Sequence, residues 1–493
     1  MTDIAFIAIP KLDIKGPILA ITQLKSCVNN AGFKAKCYDF NIWLYNKTIN
    51  TDIGYIWKVM DNTLITEKIS NIEAQYAAYW NEFFAEVVER DNPRIIGITA
   101  FSSWTYPGLD IIVEQVRELY PHIKILIGGP AVRDAPPDKS TYGIENNADY
   151  FYNLKEKDLI DDFICGDAEY SVVEYLKGNM TYPGINNFNP IDIDDQEVIP
   201  FPDYEDIDMT QYKDPHYFVR GSRGCVRHCA FCNVPSIWRK FRSRSGEHIA
   251  KEIIALYEKH KVKNVYLIDS LTNGNQKEFL KLLEHITQYK NQTHAEFTIG
   301  GQFIMREKHQ VPDRMFDLMK SAGYLRPTIG IESGSEKVRR ELGKYFSNES
   351  IEYHLQQMDR VGLQMIPLFF VGFPTETEED FEQSINLLNM FVKYKAVVPV
   401  IHMDHPMHVI EGTPVALDPE RYDIEHITNS YKWESKHSDY KRRIERFFIF
   451  LDEAIKRNLY KRPVVSNKSY TMIDEYKQYS NLDSRVVNIM ESW

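Results

Sequence analysis

Three cysteines, Cys225, Cys229 and Cys232, stand at the spacing C-x3-C-x2-C directly after an extended run from Tyr217 to Arg220. Three thiolates on one short loop can hold three corners of a cubane iron–sulfur cluster, which ordinarily takes four cysteine ligands. No fourth cysteine lies nearby, so one iron would stay open to bind a substrate or cofactor. The spacing therefore points to a catalytic cluster. The alternative is a structural zinc site completed by His228 or a distant histidine. Zinc sites, however, usually pair two short Cys/His hairpins, and no second pair lies close by.

With Phe231 before the last cysteine, C-x3-C-x-aromatic-C resembles the signature of the radical S-adenosylmethionine (SAM) superfamily. That resemblance implies a [4Fe-4S] cluster on Cys225, Cys229 and Cys232, with SAM chelating the fourth iron. It also implies a partial (β/α)6 barrel over residues 213–414. The chain supplies strand–helix units at the expected spacing. Predicted strands are Tyr217–Arg220, Val262–Asp269, Ala295–Phe303, Arg326–Glu332, Met365–Phe373 and Val397–Met403.

Two strand-to-helix junctions, Ser333-Gly334-Ser335-Glu336 and Thr375-Glu376-Thr377-Glu378, fit a capping box with the first hydroxyl as N-cap. The first junction resembles the family's ribose-binding element, with Glu332 accepting the ribose hydroxyls beside Ser333 and Gly334. Val371-Gly372-Phe373-Pro374 resembles the adenine-holding element. The family's Gly-Gly-Glu-like amino-group element is missing. In its place Asp269 or Ser270 is the candidate to accept that bond, and Gln302 is a polar candidate facing the cavity. In His402-Met403-Asp404-His405-Pro406-Met407-His408, strand alternation would put His402, Asp404 and His408 on one face. Metal binding and proton transfer are both open to such a set, and a substrate-pocket role for His402 and Asp404 is the reading adopted.

Upstream, residues 1–180 alternate short apolar strands with helical stretches, the pattern of a Rossmann-like parallel sheet. Ligands bind such sheets at the carboxyl ends of the strands. The functional loops would then be 11–16, 101–104 with Ser102, 128–131 with Gly128, Gly129 and Pro130, and 166–169 with Gly166. Placed before a radical SAM motif, this domain resembles the cobalamin-binding domain of many such enzymes. It departs in one respect: Asp13-Ile14-Lys15-Gly16 has no histidine where such domains can carry Asp-x-His-x-x-Gly. No histidine of the domain is therefore expected to coordinate cobalt. The methylthiotransferases of the family instead carry a second cluster on three amino-terminal cysteines. Here those are Cys27, Cys37 and Cys165, the first two in positions that suit small buried hydrophobes. Residues 181–212 read as a proline-rich, acidic linker, and 415–493 as a helical region whose strongest amphipathic stretch is Lys441–Leu459.

At 493 residues, and roughly 150 residues per domain, about three domains fit. A net charge of −12 weighs against a general electrostatic grip on nucleic acid and favours a small molecule or peptide as substrate. Arg239, Lys240, Arg242 and Arg244 form one local basic run, ordinarily a solvated face. No apolar run approaches a membrane span and no secretory signal is visible, so a cytoplasmic location is expected. The resemblance implies, as a whole, a cobalamin-dependent radical SAM methyltransferase acting on an unactivated carbon, with a low-potential electron donor such as flavodoxin or ferredoxin as partner. Radical cyclisation or rearrangement without methyl transfer, and a non-catalytic cofactor-binding sensor, are the rivals.

Overall fold

The computed structural model describes residues 2–10, 12–50, 70–102, 105–133, 147–460, 467–479 and 481–491. They form two compact units, Met1–Val219 and Arg220–Trp493, and segment 181–212 belongs to the first.

The first unit is built on a five-stranded parallel sheet of β1 (Ile4–Ala8), β2 (Ala35–Asp39), β3 (Ile95–Thr99), β4 (Lys124–Gly128) and β5 (Asp162–Phe163), in the order β2-β1-β3-β4-β5. Its central strands, IAFIA and IIGIT, are apolar without alternation because helices cover both faces. These are α1 (Leu19–Asn30), α2 (Phe40–Thr48), α3 (Ser70–Asp91), α4 (Tyr106–Leu119) and α5 (Ala168–Leu176). Two apolar clusters result. One gathers Phe40, Tyr76, Trp80 and Phe84 with the inward residues of β1 and β3, and the other gathers Ile4, Phe6, Val28 and Cys37. The register aligns Ala8 with Asp39 and Thr99, and Thr99 with Gly128. One edge of the sheet therefore collects every strand end, and the order reverses between β1 and β3. The run Tyr217–Arg220 forms β6 (His216–Val219).

In the second unit, parallel strands β7 (Asn264–Leu267), β8 (Thr298–Phe303), β9 (Thr328–Glu332) and β10 (Ile366–Phe369) pair in sequence order. Helices α6 (Gly246–His260), α7 (Gln276–Thr293), α8 (Met315–Ala322), α9 (Glu336–Glu341), α10 (Asn348–Val361) and α11 (Glu378–Lys393) intervene. This is the α/β architecture with a helical carboxyl-terminal region that the sequence indicated. The sixth expected strand, Val397–Met403, does not form: it contributes a single bridge, His402 to Leu368. The Val397–Val398 amides instead bond back to Tyr394, and the Ile401 amide to Leu459. Beyond it, a hairpin of Ile424–Ile427 and Trp433–Ser435 precedes α12 (Tyr440–Lys456), and α13 (Ser484–Glu491) packs on α12.

Both caps lie two residues downstream of the expected positions. Ser335, not Ser333, caps α9 by accepting from the Val338 amide at 3.3 Å. Thr377, not Thr375, caps α11, and Asp380 closes its capping box. In each repeat two hydroxyls compete, and the one followed at once by uninterrupted helix-forming residues takes the cap.

Candidate active site

The cysteine loop is held by backbone on every side. Ser222 and Arg223 pair antiparallel with Arg242 and Ser243. Gly224 adopts φ +79°, and a Cβ there would sit 2.6 Å from the Lys240 carbonyl oxygen. The Ala230 amide donates to Leu342 O at 3.1 Å, and its carbonyl accepts from the Val415 amide at 3.0 Å. Two residues of the basic run turn inward: Arg242 and Arg244 are buried, and Arg244 pairs with Glu252 at 2.6 Å and donates to Arg220 O at 2.7 Å. These arginines brace the base of the loop.

Cys229 is buried, and Cys225 and Cys232 are partly buried. The Arg227 amide donates to Cys225 Sγ at 3.3 Å. Burial pushes all three thiols up, Cys229 to about 11, and the Lys344 ammonium opposes it at each. A bound cluster would have to supply the charge that deprotonates them, as metals do for coordinating thiols. Among the described residues no group of three or more His, Cys, Asp or Glu stands together as a site for a single metal ion. A cubane asks for something wider, one cysteine on each of three irons, and three thiols on one loop with no carboxylate among them suit it.

Lys344 is the residue that sequence reading missed. It follows α9, its side chain is 14% exposed, and it donates to Glu332 Oε1 at 2.9 Å and to Gly330 O at 2.8 Å. Burial disfavours its charge, but Glu332 and the cysteines outweigh that and its pKa is raised. Its Nζ lies 5.9 Å from the centre of the Phe231 ring, which itself packs edge-on against Phe370 at 5.0 Å. Glu332 adopts φ +68° at a bulge between β9 and β10, a left-handed conformation costing a non-glycine residue roughly 1–2 kcal/mol. Glu332 is thus at the expected strand end, but its carboxylate already has an ammonium partner.

The neighbouring assignments divide. Ser333 and Gly334 are packing residues: Ser333 Oγ lies 3.2 Å from Ser384 Oγ, the Gly334 amide donates to Ser384 Oγ at 2.9 Å, and a Cβ on Gly334 would meet Ser384 Cα at 2.6 Å. They seat β9 on α11. Asp269 is likewise committed, because its carboxylate accepts from the Ser222 amide and lies against Gly221. Ser270, in the loop after β7, remains half-buried, and Gln302 at the end of β8 is exposed. Gly372 takes φ +83°, donates to Glu376 Oε2 at 2.7 Å, and packs against the Arg443 side chain. Phe373 is buried edge-on to Tyr422 at 5.9 Å. Glu376 in turn pairs with Arg446 at 3.2 Å, both almost fully buried, so α12 grips this loop.

His402 Nε2 and Asp404 Oδ1 come together at 3.3 Å, more than half exposed. His408 does not join them: it is stacked on His405 at 3.9 Å and edge-on to Tyr431 at 4.0 Å. Without a strand there is no alternation to align the three.

On the first unit's carboxyl edge, Ser102 O accepts from the Thr105 amide and hydroxyl at 2.9 and 2.7 Å. Gly128 O accepts from the Ala100 amide at 2.7 Å, Gly129 has φ +112°, and Pro130 opens a short helix. The loops after β3 and β4 therefore lie side by side. Gly166, φ +105°, backs onto Ile191 N, where a Cβ would come within 2.8 Å, so its missing side chain admits segment 190–191. Residues 11, 103 and 104 of the predicted loops lie outside the described residues.

Comparison with known proteins follows this geometry. The family model of the radical SAM superfamily matches residues 219–388. An uncharacterized methyltransferase of Pyrococcus horikoshii is 24% identical over 323 residues, covering 61% of this chain and 65% of that protein. The ribosomal protein uS12 methylthiotransferase RimO of Thermotoga petrophila is 28% identical over 218 residues, 42% of this chain and 48% of its own length. The chain thus spans about half to two thirds of the curated relatives it matches. Among solved structures, the cobalamin-dependent SAM radical enzyme OxsB, with aqua-cobalamin and SAM bound, has a TM-score of 0.63 at 14% identity, over 100% of this chain and 75% of that one. The radical SAM methyltransferase TsrM of Kitasatospora setae, with tryptophan and a SAM analogue bound, has a TM-score of 0.60 at 14% identity, over 85% and 76%. Both likenesses show a shared fold.

Proposed function

We propose that this chain, which carries a radical SAM domain over residues 219–388, is a cobalamin-dependent radical SAM methyltransferase acting on an unactivated carbon of a small molecule or peptide. The observation that carries the reading is the braced three-cysteine loop of the second unit in a chain whose first unit is a parallel sheet with its strand ends on one edge. Cys225, Cys229 and Cys232 would hold the cluster, and the carboxyl edge with Ser102, Gly128, Gly129 and Pro130 would receive cobalamin. When bound, the cluster supplies a low-potential electron that cleaves SAM to a 5′-deoxyadenosyl radical, and methylcobalamin supplies the methyl group. The protein's part is to bind and orient. Glu332 and the Gly372–Phe373 turn would hold the nucleoside of SAM, Ser270 and Gln302 would offer polar contacts, and His402 with Asp404 would face substrate.

Methyl transfer is preferred to methylthiolation because the amino-terminal cysteines do not form a set. Cys27, Cys37 and Cys165 lie in three separate apolar clusters. Anaerobic reconstitution with iron, sulfide and hydroxocobalamin, followed by reduction and addition of SAM, tests the reading. Expected are four irons and about one cobalt per chain, 5′-deoxyadenosine, and methylcobalamin with S-adenosylhomocysteine. Deoxyadenosine without methylcobalamin would replace methyl transfer by a rearrangement, and no deoxyadenosine at all would leave a cofactor-binding sensor.

A further inference from the structure

The turn after α9 is built against the cysteine loop. Leu342 O accepts from the Ala230 amide at 3.1 Å. Gly343, φ +82°, runs so close that a Cβ would lie 3.2 Å from His228 O and 3.6 Å from Cys229 Cα. The next residue, Lys344, is turned inward, its side chain only 14% exposed, and fixed by two hydrogen bonds, to Gly330 O and Glu332 Oε1. Elsewhere such a lysine would be a surface charge; here a strained strand end, a close-packed glycine and a backbone bond all serve to hold an ammonium next to the cysteine loop, 5.9 Å from the centre of the Phe231 ring.

We infer that Lys344 is a positioning charge for the cluster site, an ammonium that favours the reduced cluster, and that Glu332 sets its strength by opposing it. This rests on the cluster assignment of the proposed function. Reduction adds one electron, so it adds one negative charge at the cysteine loop, and a fixed cation nearby stabilises that charge where little water screens it. Two hydrogen bonds hold the ammonium in place, which a solvated lysine could not match. Glu332 Oε1, 2.9 Å from the ammonium, dilutes that field, while the ammonium itself lies 5.9 Å from the centre of the Phe231 ring, inside the cysteine loop.

The test is a potentiometric titration, by electron paramagnetic resonance, of the full-length anaerobically reconstituted protein without SAM. With Lys344→Gln the ratio of reduced to oxidised cluster at a fixed potential should fall about tenfold, a shift of ~59 mV downward for this one-electron couple. Lys344→Arg should restore it. Glu332→Gln should shift the midpoint upward, and the double variant should return towards the parent. Iron content and the absorption spectrum of each variant show first that the cluster has assembled. Failure of the parent to take up four irons would overturn the cluster assignment itself. Assembled clusters with an unmoved midpoint in Lys344→Gln and Glu332→Gln would overturn the tuning role alone. Weakened SAM binding with an unmoved midpoint would do so too and make Lys344 a carboxylate ligand of SAM. If Lys344→Gln does not assemble a cluster, the upward shift in Glu332→Gln decides the matter.

Discussion

Asp269 holds the first bend of the cysteine loop from below, and its chemistry is unusual for a carboxylate. Burial pushes its pKa up to about 7, against which the Ser222 amide hydrogen bond acts. The folded protein therefore keeps a proton that the unfolded chain has already released above about pH 4. The group's contribution to stability falls as pH rises from about 4 to about 7, by no more than ~4 kcal/mol at 1.36 kcal/mol per pKa unit. Asp269→Asn removes the titration while keeping an acceptor for Ser222. Thermal midpoints of parent and variant, compared from about pH 5 to pH 8, should show the parent losing ground steadily. A pH-independent difference would mean that Asp269 does not titrate in this window. His402 beside Asp404 is an exposed pair, 3.3 Å apart, that could face a substrate. His402→Ala should lower product formation by on the order of 10²-fold with iron content unchanged. Unchanged turnover would remove it from the site.

The element that this fold adds to a bare barrel is α12. Arg443 packs its aliphatic stem on Gly372 and its guanidinium over Trp433 at 3.6 Å, and Arg446 reaches Glu376, which caps the Gly372 amide. Burial lowers the pKa of Arg443 to about 9, so its seat is defined by packing and by the Tyr431 and Trp433 carbonyls rather than by a carboxylate. Gly372→Ala meets two obstacles at once, a positive φ and a methyl 2.6 Å from Arg443 Cδ. It should cost roughly 1–3 kcal/mol, seen as a lower thermal midpoint. Equilibrium binding should show SAM affinity weakened several-fold while the cysteines retain iron. Iron lost in step with SAM affinity would mean that the loop supports the whole unit and not the nucleoside end. The sequence carried the turn, since Gly-Phe-Pro after an apolar run has few other meanings. It did not carry the clamp, because Arg443 and Arg446 lie some 70 residues away on a helix whose periodicity says only that one face is buried. The same limit explains Lys344. Its glycine and the preceding helix were readable, but what it touches depends on how a strand and a loop distant in sequence meet. Conversely, Ser333 and Gly334 were readable as a turn, but their contacts with Ser384 were not, because a turn that seats a helix and a turn that binds a sugar use the same small residues.

For the whole molecule the decisive question is what the first unit holds, and its architecture makes a specific statement about cobalt. Residues 1–219 contain two histidines, His122 and His216. His122 immediately precedes β4, at the amino end of the strands, on the opposite edge from the loops that would receive a ligand. His216 approaches the loop after β1, where its amide donates to Lys15 O at 2.7 Å and its Nδ1 stands 2.6 Å from Asp214 O. It enters from segment 213–216, and the loop itself, Asp13-Ile14-Lys15-Gly16, is closed by the Asn41 side chain bonding to Leu12 and Asp13. With no histidine in the loop after β1, bound cobalamin is expected to take no histidine of this unit as its lower ligand. The Co(II) form of the reconstituted protein should give a base-off electron paramagnetic resonance spectrum lacking nitrogen superhyperfine structure. A nitrogen triplet would contradict this, and the orientation of His216, with Nδ1 tied to a carbonyl and Nε2 left for a metal, would make it the ligand to remove.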